Sequence, residues 1–243
     1  MMGFFSFGLP GLLLMAAALS HFVRRQPGSY WLWVIIFLGP LGSLIYLAVE
    51  ALPELRDPGA FKFVGRARRI RELELAVRQN PSAGNYEELG QLYLDKEQWE
   101  KARACFNRSL AQRSDSPDPF YRRALAALQL GDFPAAVQDL EQVVRSDSGY
   151  DIYRAAGLLA WAYAVTGKPE QAKALFGATL RTSTLTETQY HYAEFLAKQG
   201  AAAEARQWAE RILRKRAGMP GFQRRRDRHW FRQAQSLLVR LPR

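Results

Sequence analysis

Cysteine and histidine are almost missing from this chain of 243 residues, and each shortage excludes something. A single cysteine, Cys105, leaves no intrachain disulfide to form. The three histidines, His21, His191 and His229, lie far apart, with no His-x-x-x-His or Cys-x-x-Cys pair to hold a metal. There is also no Gly-x-x-x-x-Gly-Lys-Ser/Thr loop for phosphates and no Gly-x-Ser-x-Gly nucleophile elbow. The sequence therefore leads us to expect neither an enzyme, a cofactor nor a metal. Proline (12) and glycine (18) are too few for a disordered or collagen-like chain. Beyond Ala67, valine and isoleucine are sparse and alanine is abundant, which favours packed helices over sheet. An all-α fold is expected.

Acidic residues are scarce in one place only. Between Glu50 and Glu210 there are 21 Lys/Arg against 22 Asp/Glu, whereas Arg211–Arg243 holds 11 Lys/Arg against Asp227 alone. Almost all of the net charge of +11 lies in that tail. Arg224, Arg225, Arg226 and Arg228 are its densest cluster and the candidate contact for anionic lipid. A solvated face is the plain alternative. No nucleic-acid-binding motif accompanies the cluster, so nucleic acid is not expected as a partner.

Charge is missing altogether from two early stretches. Phe4–Val23 and Tyr30–Val49 each run about 20 residues without an ionised side chain, the length needed to cross a hydrocarbon core of ~30 Å as helix. No Lys or Arg precedes the first, so it lacks the basic n-region of a signal peptide. Tyr30, Trp31 and Trp33 open the second and Tyr46 lies near its end, where amphipathic rings favour the headgroup layer. The expectation is a two-span transmembrane hairpin over residues 1–50 and a multi-pass location in the cell membrane. The basic cluster after the second stretch (Arg56, Lys62, Arg66, Arg68, Arg69) places the rest of the chain in the cytoplasm, although Arg24 and Arg25 in the loop oppose this.

Within the second stretch, Trp33, Pro40, Gly42 and Tyr46 carry a pattern of Trp, then Pro-x-Gly, then Tyr. In this the first 50 residues resemble the N-terminal two-helix domain of cardiolipin synthases and other phospholipase D-like proteins. The catalytic His-x-Lys of that superfamily is absent, since the three histidines are followed two residues later by Val23, Ala193 and Phe231. The resemblance implies an anchor without the family's phosphatidyl-transfer chemistry.

Residues 51–65, with Pro53, Pro58 and Gly59, read as a juxtamembrane linker. From Arg66 onward a helix-pair pattern recurs. The first full copy starts near Ala83, with Tyr86, Leu89, Gly90 and Tyr93, then Trp99, Ala102, Phe106 and Leu110. Others start near Pro117, Tyr153 and Thr186, at spacings of 34, 36 and 33 residues. Gly131, Gly167 and Gly200 each follow a first helix, as left-handed C-caps would. This pattern resembles the tetratricopeptide repeat, over residues 66–217. The resemblance implies an α-solenoid in which small residues let paired helices approach and neighbours stack to bury a shared core. Residues 218–243 read as a basic C-terminal capping helix, with Trp230 and Phe231 placed in the core.

In tetratricopeptide folds, set positions of the first helices face the groove. Carried onto this chain, the resemblance nominates Tyr121, Arg122, Leu125, Arg154, Trp161, Tyr190, His191 and Glu194 as partner contacts. The Lys/Asn set that clamps a peptide carboxylate in some members is not reproduced. The functional expectation is a non-enzymatic, membrane-anchored scaffold that binds a protein or peptide segment. The alternative is an accessory factor of phospholipid metabolism acting through the synthase-like hairpin.

Overall fold

In the computed structural model every regular element among the described residues is helical. The structure describes residues 9–25, 29–51, 58–112 and 116–242. The chain forms two compact units, Met1–Arg69 and Ile70–Arg243.

The first unit holds α1 (Leu9–Arg25) and α2 (Tyr30–Tyr46), the latter continuing through a π-helical turn, Leu47–Ala51. Among the described residues one helix, Tyr30–Glu50, is long and apolar enough to cross a membrane, with a mean hydropathy of 2.2, while the described apolar part of α1, Gly11–Val23, is shorter. The two-span hairpin expected from the sequence is thus borne out for one span, since residues 4–8 of the first lie outside the described residues. Even α2 is not a straight rod. Gly39 sits at φ 58°, ψ −131°, a conformation open essentially to glycine alone, and Pro40 follows it. There the helix reverses on itself. A Cβ placed on Gly42 would lie 2.1 Å from the carbonyl oxygen of Val34, so only hydrogen fits between the two legs. Trp31 Nε1 donates to Glu50 Oε1 at 2.9 Å, and the Trp31 and Tyr46 ring centroids are 5.4 Å apart. In a straight helix a separation of 19 residues would span about 28 Å. Ala18, Trp31, Ile35 and Tyr46 form the small core that joins α1 to the reversed α2.

The second unit begins within α3 (Pro58–Gln79), whose Ile70 and Leu73 are buried against Leu89 and Tyr93. Four helix pairs follow. The first helices, here called A, are α4 (Ala83–Leu94), α6 (Pro117–Gln129), α8 (Arg154–Val165) and α10 (Thr186–Lys198). Their B partners are α5 (Trp99–Gln112), α7 (Phe133–Ser146), α9 (Pro169–Thr182) and α11 (Ala202–Lys215). A short α12 (Gly221–Arg226) leads into α13 (Arg228–Arg240).

Local chemistry starts these helices where the sequence indicates. Ser82 and Ser116 accept the backbone N–H of Asn85 and Asp118, and Asp132 accepts that of Ala135. Pro117, Pro134 and Pro169 occupy first-turn positions, where the missing N–H costs no bond. Gly131, Gly167 and Gly200 all have φ between 74° and 81°, the left-handed cap expected of them. The A helices start at Ala83, Pro117, Arg154 and Thr186, close to the starts read from the repeat. The long interval before α8 has a physical cause. Asp151, Ile152 and Tyr153 form a left-handed turn, with φ of 50°, 55° and 64°, before the helix can begin.

Among the A helices α4 packs on α6 and α8 on α10, and α13 packs on α10 and α11 as a further A helix would. Small residues set these distances. Gly90 faces the ring of Phe106, and a Cβ on Gly157 would lie 2.4 Å from Thr188 Oγ1. Cys105 is buried in the first pair, where burial and the nearby Glu74 push its thiol up to about 11. It is an unreactive packing residue.

Candidate partner-binding groove

The A row carries a polar chain across the starts of successive repeats. Tyr121, Arg154 and Glu187 follow one another at 33-residue steps. Arg154 Nε donates to Glu187 Oε2 at 2.6 Å and Nη1 donates to the Tyr121 hydroxyl at 3.3 Å. The Tyr121 hydroxyl itself donates to the carboxylate of Asp151, which stabilises the left-handed turn. Burial pushes the Tyr121 phenol well above its ordinary range, despite the opposing pull of Arg154. Burial alone would lower Arg154, but its bonds to Glu187 hold it firmly protonated.

Beside this chain runs an aromatic one. Trp161 stacks on His191, with ring centroids 4.3 Å apart and 16° between planes, and meets Phe133 edge-on at 5.1 Å. On its other side His191 meets Trp230 of α13 at 5.1 Å. His191 is buried, and its Nδ1 has no hydrogen-bond partner among the described residues. Burial, reinforced by Lys198, Arg154 and His229, lowers its pKa to about 3, so the ring stays neutral. Trp161 and Trp230 are only partly buried.

The nominated residues thus divide. Arg154, Trp161 and Glu194 are partly exposed on the A row, Glu194 facing Lys198 at 3.7 Å. Arg122 is held by Asp118 within its own helix. Leu125 packs against the core formed by α6 to α8. Tyr121, Tyr190 and His191 are buried, so their rings bind A helices together rather than stand in the groove. Of the two residues expected in the core, Phe231 is buried in it and Trp230 packs against it while staying partly exposed. The turn of a helix by one residue puts Phe231 inward and leaves Trp230 on the rim. A cavity of about 410 Å³ opens beside it, lined by Asp151, Ile152, Arg154, Leu185, Thr186, Glu187, Arg226, Asp227 and Trp230. Buried Asp227 accepts the Thr186 hydroxyl at 2.7 Å and so ties α13 to α10.

The basic tail is also divided by the fold. Arg216, Arg224, Arg225, Arg228 and Arg232 surround a second cavity of about 670 Å³, floored by Leu213 and Phe231. Among the described residues none of these five pairs with a carboxylate. Arg226 turns away, pairing with Asp227 at 3.0 Å and lining the other cavity. Among the described residues no three His, Cys, Asp or Glu side chains come together as a metal site.

Comparison with known proteins bears on the array. Two family models described as tetratricopeptide repeat match residues 89–174 and 158–220. The chain carries tetratricopeptide repeats. No curated protein sequence matches it. Solved structures share the fold at low identity. YrrB, a tetratricopeptide protein whose structure is described as having an unusual peptide-binding site, is 18% identical at a TM-score of 0.56. That likeness covers 63% of this chain and 78% of YrrB. The pilF protein of Pseudomonas aeruginosa is 19% identical at a TM-score of 0.53, covering 74% of this chain and 84% of its own. Cut9, in the Cut9–Hcn1 hetero-tetramer of the APC/C, is 14% identical at a TM-score of 0.54, covering 96% of this chain and 48% of its own. The array is thus a helical stack of the tetratricopeptide type.

Proposed function

We propose that this protein is a non-enzymatic scaffold, held at a membrane by its apolar N-terminal unit, whose repeats bind a protein segment along the A row. The observation that carries the reading is the pair of partly exposed indoles, Trp161 and Trp230, both in ring contact with His191, together with the Arg154–Glu187 pair. Aromatic rings and arginine dominate binding energy at interfaces because they bury much area at little entropic cost. Tethering confines the groove to a thin layer and raises its effective concentration for partners on the same bilayer. The five unpaired arginines around the second cavity supply a surface for anionic headgroups. Crosslinking capture from membranes tests the groove: Trp161→Ala with Trp230→Ala is expected to lose the proteins held by the parent chain. An unchanged set of captured proteins would reject it.

A second reading makes the chain an accessory factor of phospholipid metabolism. Its support is that Pro40, Gly42 and Tyr46, three positions of the synthase-like pattern, take part in the reversal of α2. Replacing residues 1–50 by an unrelated membrane anchor separates the two. Full function after the exchange favours the scaffold, and loss with membrane insertion intact favours the lipid role.

A further inference from the structure

We propose that α2 enters the bilayer as a re-entrant loop, so that both of its ends lie at the same membrane face. The inference rests on the reading that the N-terminal unit is a membrane anchor, and adds how that anchor meets lipid. Hydropathy alone would thread Tyr30–Glu50 from one side to the other, because 21 residues of straight helix rise about 30 Å. The reversal at Gly39 halves that reach. The legs Tyr30–Leu38 and Pro40–Ala51 rise about 13 and 18 Å, close to the depth of a single leaflet.

The chemistry changes with depth in the same sense. At the open end of the loop are the Glu50 carboxylate, bonded to Trp31 Nε1, and the Tyr46 hydroxyl, bonded to His21 Nδ1 at 2.8 Å. Tyr30 stands beside Trp31 there, with ring centroids 5.3 Å apart. At the closed end Phe37 is 78% exposed, Leu41 62%, Ile36 55% and Leu38 49%, Phe37 meeting only the ring of the likewise exposed Trp33 among the described residues, at 5.6 Å. An aromatic and ionisable rim behind an apolar tip is the distribution of a segment seated in one leaflet, with its amphipathic rings at the headgroups. The freed backbone near the bend has partners within the unit, for Ser43 Oγ donates to the Gly39 carbonyl at 3.0 Å. A bilayer tolerates a break in a helix only on that condition. Acyl chains are therefore the occupant the tip fits. A second protein would have to match side chains that carry no polar group for orientation.

The test uses the full chain with Cys105→Ala and one new cysteine at a time: Ser29→Cys before α2, Val49→Cys near its end, and Phe37→Cys at the tip. Ser29 and Val49 are exposed, so neither change disturbs the core. Sealed membrane vesicles of known orientation are treated with a membrane-impermeant maleimide. Ser29→Cys and Val49→Cys are expected to label from the same face, and Phe37→Cys at least tenfold less from either. Labelling of the first two from opposite faces, in protein that resists alkaline extraction, would overturn the re-entrant loop while leaving the anchor intact. Release of the protein by alkaline carbonate would overturn the anchor itself, and the loop with it. Free labelling of Phe37→Cys in membrane-bound protein would also reject the inference, since the tip would then lie in water.

Discussion

Trp161 and His191 lie face to face, 4.3 Å between ring centroids, although 30 residues and the whole of α9 separate them. The contact joins two neighbouring A helices through a ring that must remain uncharged. Burial, chiefly, lowers the His191 pKa to about 3 from an ordinary 6.5. The unfolded chain therefore binds a proton between those two values and the folded chain does not. Stability is fully present above about pH 6.5 and is lost as pH falls, by up to about 1.4 kcal/mol per pH unit down to the folded pKa. Thermal unfolding followed at pH 7 and pH 5 is expected to show a larger fall in Tm for the parent than for His191→Phe. Equal falls would separate His191 from the acid sensitivity.

Two glycines predict opposite outcomes from the same substitution. Gly157→Ala forces a methyl within 2.4 Å of Thr188 Oγ1 and 2.9 Å of its Cγ2, so α8 and α10 must part. A loss of about 1–3 kcal/mol is expected, as in other overpacked cores. Gly177 lies on the exposed face of α9 with nothing near its missing Cβ. There Gly177→Ala is expected to add about 0.5–1 kcal/mol by reducing the freedom of the unfolded chain. Urea unfolding of both variants checks the signs, which helix propensity alone would make equal.

The division of the basic tail yields a third prediction. The repeat unit Ile70–Arg243, compact in its own right, is expected to sediment with vesicles containing anionic lipid and not with neutral ones. Binding should fade as salt shortens the Debye length below about 8 Å. Changing Arg224, Arg225 and Arg228 to Gln is expected to reduce sedimentation several-fold, whereas Arg226→Gln leaves it nearly unchanged because Asp227 already occupies that guanidinium. An equal effect from all four would return the tail to a uniform solvated charge.

These contrasts mark what could be read from residues alone. Helix starts were legible because the repeat recurs at nearly constant spacing, and in the structure Ser82, Ser116 and Asp132 fix them through bonds to their own neighbours. The left-handed caps were legible because glycine was needed there. The reversal of α2 was not, since hydropathy sums side chains over a window and says nothing of one φ angle at Gly39. Asp151, Ile152 and Tyr153 likewise do not advertise a left-handed turn, and only the 36-residue interval betrayed an extra bend. In the groove, position numbers separated A helices from B helices but not rim from core. Whether Tyr190 or Trp230 faces outward depends on where α13 docks, which is a tertiary fact.

The docking of α13 also limits how far this architecture can grow. A stack of helix pairs ends in an unfinished surface that a second copy could continue head to tail, and such contacts run on into filaments when nothing closes them. Here the place of the next A helix is already taken, secured by the Thr186–Asp227 bond, and α13 exposes Arg228, Arg232 and Arg240. An incoming helix would find Val239 as the lone exposed large apolar side chain of α13, set among Arg228, Arg232, Gln235, Ser236 and Arg240. The place of the next A helix is therefore filled from within the same chain.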